Sequence, residues 1–138
     1  MKNRGFFALA LDGKGTLVKE IGSNAGHLLF TEIMDKERAD SVVAGLFKSD
    51  LLTAYGVRTQ SRRSKSFRQS HLSGAIWPHD NWLIWTGLKK CGYLREADII
   101  RTALFKAYAE LGKIPEFYDV RNGKIFIPNR QWHGISVG

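Results

Sequence analysis

The distribution of apolar and polar residues predicts a first pair of helices near the start of the chain. Over residues 24–34 the apolar side chains cover much of the helical circumference, and Ser23 is a candidate N-cap. Residues 36–47 carry a single apolar stripe and follow Asp35, which is a second candidate N-cap. The first pattern is typical of a buried helix, and the second is typical of an amphipathic outer helix.

A second pair follows a long stretch, residues 48–76, that has no sustained period. Such stretches are uncommon in a compact domain unless they are functional or flexible. Pro78 favours a helix start, and apolar residues on all sides predict a buried helix over residues 77–90. Residues 94–112 show the clearest amphipathic pattern, whose apolar face comprises Ala97, Ile100, Leu104, Ala107, Tyr108 and Leu111.

These four helices form two αα-hairpins in which buried and amphipathic members alternate. Stacked hairpins of this kind build solenoids or closed α/α toroids. Asn122-Gly123 lies between apolar residues and predicts a short C-terminal β-hairpin. Phe6–Leu11 is either a short strand or the end of a helix, and Asp12–Gly15 is a turn. The predicted fold class is therefore all-α with a small β-hairpin.

The length and composition narrow the class of protein. The 138 residues are enough for one domain, 1–138, and too few for two. The single cysteine, Cys91, excludes an internal disulfide framework and a Cys-rich zinc site, and it fits a reducing cytoplasm. No window approaches the roughly 18 apolar residues of a membrane span, so no membrane partner is expected.

The net charge of +8 is concentrated in part of the chain. Residues 51–79 contain no Asp or Glu and hold Arg58, Arg62, Arg63, Lys65 and Arg68. One interpretation is a footprint for nucleic acid or another polyanion, and the other is a solvated basic loop. No nucleic-acid-binding motif accompanies the charge, which favours the loop and makes a nucleic-acid partner unexpected.

Four short motifs occur in an order that resembles a known family. The motifs are Ser23-Asn24-Ala25-Gly26-His27-Leu28-Leu29, Gly56-Val57-Arg58-Thr59, Gly74-Ala75-Ile76-Trp77-Pro78-His79-Asp80-Asn81 and Pro115-Glu116-Phe117. The chain resembles, from about Phe6 to Ile127, the C-terminal part of the amylo-α-1,6-glucosidase (glycogen-debranching-type) glycosidases. These belong to the six-hairpin (α/α)6 glycosidases, which also include trehalases and mannosylglycerate hydrolases.

The resemblance implies a partial α/α toroid, comprising about two of six hairpins, and an inverting hydrolase that uses no metal or other cofactor. In such enzymes a carboxylic acid protonates the leaving oxygen and a carboxylate about 6.5–9.5 Å away activates water. Glu116 is the implied general base, since the family base lies in a comparable Pro-Glu segment. The implied substrate is an oligo- or polysaccharide of the α-glucan type.

The resemblance also implies a set of residues that contact the sugar, and each has an ordinary structural alternative. Trp77 stacks on a pyranose ring or closes the core, and Asp80 stabilises the helix start with or without contacting sugar. His27 either faces the site or is a core histidine whose hydrogen bonds are made within the protein. Arg58 either contacts substrate or forms a structural salt bridge. The full implied set is Trp77, His79, Asp80, Asn81, His27 and Tyr118.

The sequence departs from the family in length and in one essential residue. Twelve helices of ~11–12 residues with ~4–6-residue connections require roughly 200 residues. No segment matches the upstream aspartate that serves as the family's general acid. We therefore expect a domain that needs self-association or a complementing N-terminal chain to act. A non-catalytic carbohydrate-binding or remnant domain and a polyanion-binding domain remain as alternatives.

Overall fold

The part of the protein that this computed structural model describes, residues 6–68 and 73–128, contains four α-helices. They are α1 (His27–Thr31), α2 (Lys36–Leu46), α3 (Pro78–Lys90) and α4 (Leu94–Leu111). Helix α3 packs against both α1 and α4, and it therefore connects the two halves of the fold. Short connections join α1 to α2 and α3 to α4, as the two predicted hairpins require.

The helix boundaries follow the local signals in the sequence at several points. Asp35 caps α2 and accepts a hydrogen bond from the Arg38 backbone N–H at 2.9 Å. Pro78 occupies the first turn of α3. Helix α4 ends at Gly112, whose φ of +70° is a left-handed conformation that glycine adopts without steric cost. The predicted positions of α2, α3 and α4 are confirmed to within one residue at each end.

The prediction for the first helix is wrong in its length and in its cap. Residues Ser23–Gly26 form a 3₁₀ turn, and the α-helix that follows ends where Glu32 takes a left-handed φ of 56°. Gly22 occupies the N-cap position, and Ser23 is buried with its backbone N–H donating to the Thr59 carbonyl at 3.2 Å. Ile33, which was expected on a buried helix, is 72% exposed.

Three small antiparallel hairpins surround the helices in the described residues, rather than the single hairpin that was predicted. Asn122 and Gly123 both have positive φ, which confirms the turn predicted for the C-terminal hairpin. The middle hairpin lies within the stretch that showed no periodicity. The strands are β1 (Ala10–Leu11) with β2 (Leu17–Val18), β3 (Leu52–Thr53) with β4 (Gly56–Val57), and β5 (Asp119–Arg121) with β6 (Lys124–Phe126).

The main hydrophobic core lies between the helices and joins side chains from all four of them. Leu29, Leu46, Ile84 and Ile100 are fully buried in it. Helix α3 was expected to be buried on all sides, but Trp82 on this helix is 46% exposed. One face of α3 thus lacks a covering element in the described structure. A second cluster forms against the C-terminal hairpin and comprises Tyr55, Ile76, Ala107, Tyr118 and Val120.

Gly87 allows α3 to approach α1 closely. A Cβ at this position would lie 2.5 Å from the Phe30 backbone nitrogen and 2.8 Å from the Leu29 carbonyl carbon. Backbone atoms cannot move aside as a flexible side chain does, so the two helices would have to separate.

We expect Gly87→Ala to lower the free energy of unfolding by about 1–3 kcal/mol, the usual cost of overpacking. Gly13→Ala is the control, because nothing lies within 4 Å of its Cβ position. Urea denaturation followed by circular dichroism measures both variants. An effect at Gly87 no larger than that at Gly13 would show that the α1–α3 contact is not close-packed.

Candidate functional site

The beginnings of two helices meet at one end of the fold. The 3₁₀ turn at Ser23–Gly26 leads into α1, and Trp77 leads into α3 with an extended backbone. Asp80 lies in the first turn of α3, where a carboxylate interacts favourably with unpaired backbone N–H groups. His27 is the first residue of α1. Two of the predicted site residues therefore lie at adjacent helix starts.

His27 and Asp80 form a direct pair through His27 Nε2 and Asp80 Oδ1. The hydrogen bond to Asp80 raises the pKa of His27, while partial burial of the ring opposes this shift. The His27 side chain is 41% exposed and that of Asp80 is 13% exposed. The more exposed imidazole of His27 thus fixes the orientation of the mostly buried carboxylate of Asp80.

The second oxygen of Asp80, Oδ2, is buried and has no hydrogen-bond partner among the described residues. A buried carboxylate oxygen without a donor is costly, so a ligand hydroxyl or a water molecule is expected to supply one. Asp80 lines a cavity of about 330 Å³ at this end of the fold. The other lining residues are Ser23, Asn24, His27, Thr59, Trp77 and His79.

The segment that carries Glu116 is attached to the residues before α3 through a short strand pairing. Ile76 and Tyr118 form an antiparallel bridge with N···O distances of 2.8 and 3.0 Å. The rings of Trp77 and Phe117 stack next to this bridge with centroids 5.2 Å apart. Glu116 lies two residues before Tyr118 in this segment; its side chain is exposed and is not among the residues that line the cavity.

Asn81 and Tyr118 were expected to contact substrate, but both side chains point into the interior. Asn81 is 0% exposed, accepts from the Val57 N–H at 2.7 Å and donates to the Val57 carbonyl at 3.0 Å. Tyr118 is buried and donates to the Tyr55 carbonyl at 2.6 Å, and burial raises its pKa. Their hydrogen bonds hold the loops that shape the site, and neither residue is among those that line the cavity beside Asp80.

Arg58 forms a structural salt bridge, which is one of the two roles that the sequence analysis left open for it. Its buried guanidinium donates to the Gly74 and Val120 carbonyls at 2.9 and 2.8 Å and lies 3.4 Å from Asp119 Oδ1. Arg58 is therefore removed from the surface that a polyanion would touch. The basic run presents one charge fewer to solvent than its sequence indicates.

Sequence reasoning did not identify Asn24 as a residue lining the cavity, and it named Thr59 only together with Arg58, with substrate contact as one alternative. Both belong to motifs that carried the family resemblance, and the contact between these motifs brings them together. The Ser23 N–H donates to the Thr59 carbonyl, and a Cβ at Gly22 would lie 2.7 Å from the same oxygen. Gly22 was the signal available in the sequence, because a residue with a Cβ at this position would collide with the Thr59 carbonyl oxygen.

Two classes of feature are absent from residues 6–68 and 73–128. No three His, Cys, Asp or Glu side chains come together there in a way that would hold a metal ion. Within the same ranges, no helix combines the length and the apolar character needed to cross a bilayer.

The helical hairpins are consistent with part of a six-hairpin glycosidase domain, and the comparisons with known proteins identify the chain as a glycoside hydrolase domain of that class. More specifically, the chain belongs to the mannosylglycerate hydrolase MGH1-like glycoside hydrolase domain family, whose model matches residues 2–135. This match supports a glycoside hydrolase domain but not the narrower assignment to the amylo-α-1,6-glucosidases, and the α-glucan substrate stays a prediction. The broader expectation of a six-hairpin glycosidase is confirmed.

Two relatives illustrate the similarity and its extent. The chain is 28% identical over 114 residues to a mannosylglycerate hydrolase of Rubrobacter radiotolerans, covering 79% of this chain and 26% of that protein. The fold is similar to that of the GH63 mannosylglycerate hydrolase from Thermus thermophilus in complex with Tris, with a TM-score of 0.75 and 20% identity. That comparison covers 94% of this chain and 31% of the other. The chain thus spans about a quarter to a third of these relatives.

We expect Asp80→Asn to lower the pKa of His27, because the variant removes the carboxylate charge and replaces a charged acceptor with a weaker amide oxygen. Since the folded pKa lies above the ordinary value of about 6.5, the pair stabilises the fold fully below that pH. The stabilisation is lost as pH rises through the folded pKa. NMR titration of His27 measures the shift.

Asp98→Asn is the matched control, because Asp98 is an exposed, ion-paired aspartate on α4. It changes the net charge equally and should leave the pKa of His27 unaltered. An identical pKa in wild type and Asp80→Asn would show that the His27–Asp80 pair does not form in solution.

Proposed function

We propose that this chain supplies the base side of an inverting glycoside hydrolase site. The main supporting observation is the Ile76–Tyr118 bridge together with the stacking of Phe117 on Trp77, because Phe117 follows Glu116 in the sequence and Trp77 lines the cavity that contains His27 and Asp80. Glu116 acts as the general base that removes a proton from the attacking water. Asp80, Trp77, His79 and His27 bind the sugar, and Asp80 Oδ2 accepts a hydrogen bond from one of its hydroxyls.

Each sugar-binding role follows from a feature of the cavity. The buried, unpartnered Oδ2 provides an acceptor whose orientation is fixed by His27. Trp77 lines the cavity while its ring stacks on Phe117, so the indole is held rigidly next to the sugar. Asn81 and Tyr118 act as positioning residues, since their hydrogen bonds fix the loops on which the others lie.

The proposed substrate is a glycoside of the mannosylglycerate type, in which a sugar is joined to a small carboxylate. Family membership and the similarity to the Rubrobacter radiotolerans mannosylglycerate hydrolase support this choice. The net charge of +8 also favours the approach of an anionic substrate. Hydrolysis further requires a carboxylic acid on the other face of the sugar, which we propose a complementary segment of the domain supplies.

A chimera tests this proposal. This chain replaces the matched 114-residue segment of the Rubrobacter radiotolerans mannosylglycerate hydrolase. We expect the chimera to hydrolyse mannosylglycerate with inversion, which proton NMR of the released sugar detects. Glu116→Gln should lower kcat by about 10²–10⁴-fold, since general base catalysis contributes that much.

Glu37→Gln is the matched control, because Glu37 is exposed in the first turn of α2, on a different helix from the site. It should leave kcat within about twofold of the unsubstituted chimera. A chimera without mannosylglycerate hydrolase activity contradicts the proposed function. Full activity in Glu116→Gln contradicts the assignment of the base.

A further inference from the structure

Another cavity lies among the turns that connect the helices and strands. It has a volume of about 510 Å³, and it shares no described lining residue with the smaller cavity at Asp80. Sites for small molecules commonly have volumes of about 300–1,000 Å³. The lining residues that bear on its chemistry are Ser49, Leu52, Arg58, Arg62, Phe67 and Arg121. We call it the arginine cavity.

The arginine cavity carries an excess of positive charge. Its described lining residues include three arginines and no Asp or Glu. Asp119, in β5, lies 3.4 Å from Arg58 Nη1 and 3.6 Å from Arg121 Nε. Among the described residues, this is the one carboxylate that pairs with any of the three guanidinium groups. Three positive charges against one negative charge leave an excess of two.

Arg62 is the arginine of this cavity that lacks a partner. Its side chain is exposed and forms no ion pair or hydrogen bond with another described residue. Burial lowers the pKa of Arg58, the charge of Asp119 opposes this shift, and the positive charge of Arg62 adds to it. The guanidinium groups of Arg58 and Arg62 therefore repel each other. An anion bound beside Arg62 would offset this repulsion.

Arg121 is held in place on the opposite hairpin. Its Cζ lies 5.1 Å from the centroid of the Phe126 ring, and Asp119 lies beside its Nε. A guanidinium that stacks on an aromatic ring keeps N–H groups at its edge for acceptors, and its planar fork fits phosphate oxygens. The hydroxyl of Ser49, which also lines the cavity, is a further donor.

We propose that the arginine cavity binds a phosphate group. A phosphate monoester carries a charge of about −1.5 to −2 at pH 7 and has three acceptor oxygens, which matches the excess charge and the two arginines at the cavity surface. A carboxylate has one charge and would compensate only half of the excess. Leu52 and Phe67 add apolar surface for the organic part of a small phosphate ester. This inference is independent of the proposed hydrolase function.

NMR titration of the isolated chain with inorganic phosphate, and separately with glycerol 3-phosphate, tests the site at constant ionic strength. We expect saturable shifts of the Asn122 and Gly123 amides, because both residues line the cavity. The amide of Gly13, in the turn between β1 and β2, should not shift. Arg62→Gln should raise the Kd at least about tenfold, because it removes charge-assisted hydrogen bonds.

Arg63→Gln is the matched control. Arg63 is exposed, follows Arg62 in the sequence and is not among the described residues that line the cavity. The variant makes the same change in net charge, so non-specific attraction of anions falls equally in both variants. The Kd for phosphate in Arg63→Gln should stay within about twofold of the wild-type value.

The outcomes separate a phosphate site from other anion binding. Saturable binding that weakens in Arg62→Gln alone supports the proposal, and the tighter of the two ligands then identifies the free anion or the ester. Absence of saturable shifts, or equal weakening in both variants, overturns it. Acetate that binds as tightly as phosphate also overturns it. A single-stranded DNA oligonucleotide that binds where neither small ligand does shows a polyanion surface instead and overturns it too.

Discussion

The candidate site depends on one buried ion pair, between Arg58 and Asp119. The Arg58 guanidinium also donates to the carbonyls of Gly74 and Val120, so it connects the end of β4, the segment before α3 and the C-terminal hairpin. Breaking a buried pair typically costs about 3–5 kcal/mol. Asp119 also lies 3.6 Å from Arg121 Nε, but that side chain is 55% exposed. A side chain that sequence patterns assign to a basic loop therefore holds three separate segments together.

The position of Glu116 is a consequence of this constraint. The hairpin that follows Glu116 is held to the segment before α3 by Arg58, by the Ile76–Tyr118 bridge and by stacking of Trp77 on Phe117. The buried Asn81 side chain, at the start of α3, forms hydrogen bonds with the backbone of Val57 in β4. These contacts fix the segments around the smaller cavity. A hydrolase also needs a second carboxyl group on the far side of its sugar.

The elements that were predicted correctly are those specified by a local signal. Asp35, Pro78 and the Asn122-Gly123 pair each fix a boundary or a turn through their own geometry. The length of α1 was not predictable, because tertiary contacts at Ser23 and a left-handed Glu32 set its ends. The roles of Asn81 and Tyr118 were missed for the same reason, since their partners lie 24 and 63 residues away in the sequence.

Amide hydrogen exchange in an Arg58→Met variant tests most directly whether this ion pair holds the site together. We expect the amides of Ile76 and Tyr118 to exchange at least about tenfold faster than in wild type, because the pairing between them opens locally. The amides of Ile84 and Leu88, inside α3, should keep their wild-type rates. Unchanged exchange at Ile76 and Tyr118, or equal acceleration at all four amides, would contradict a local role for Arg58.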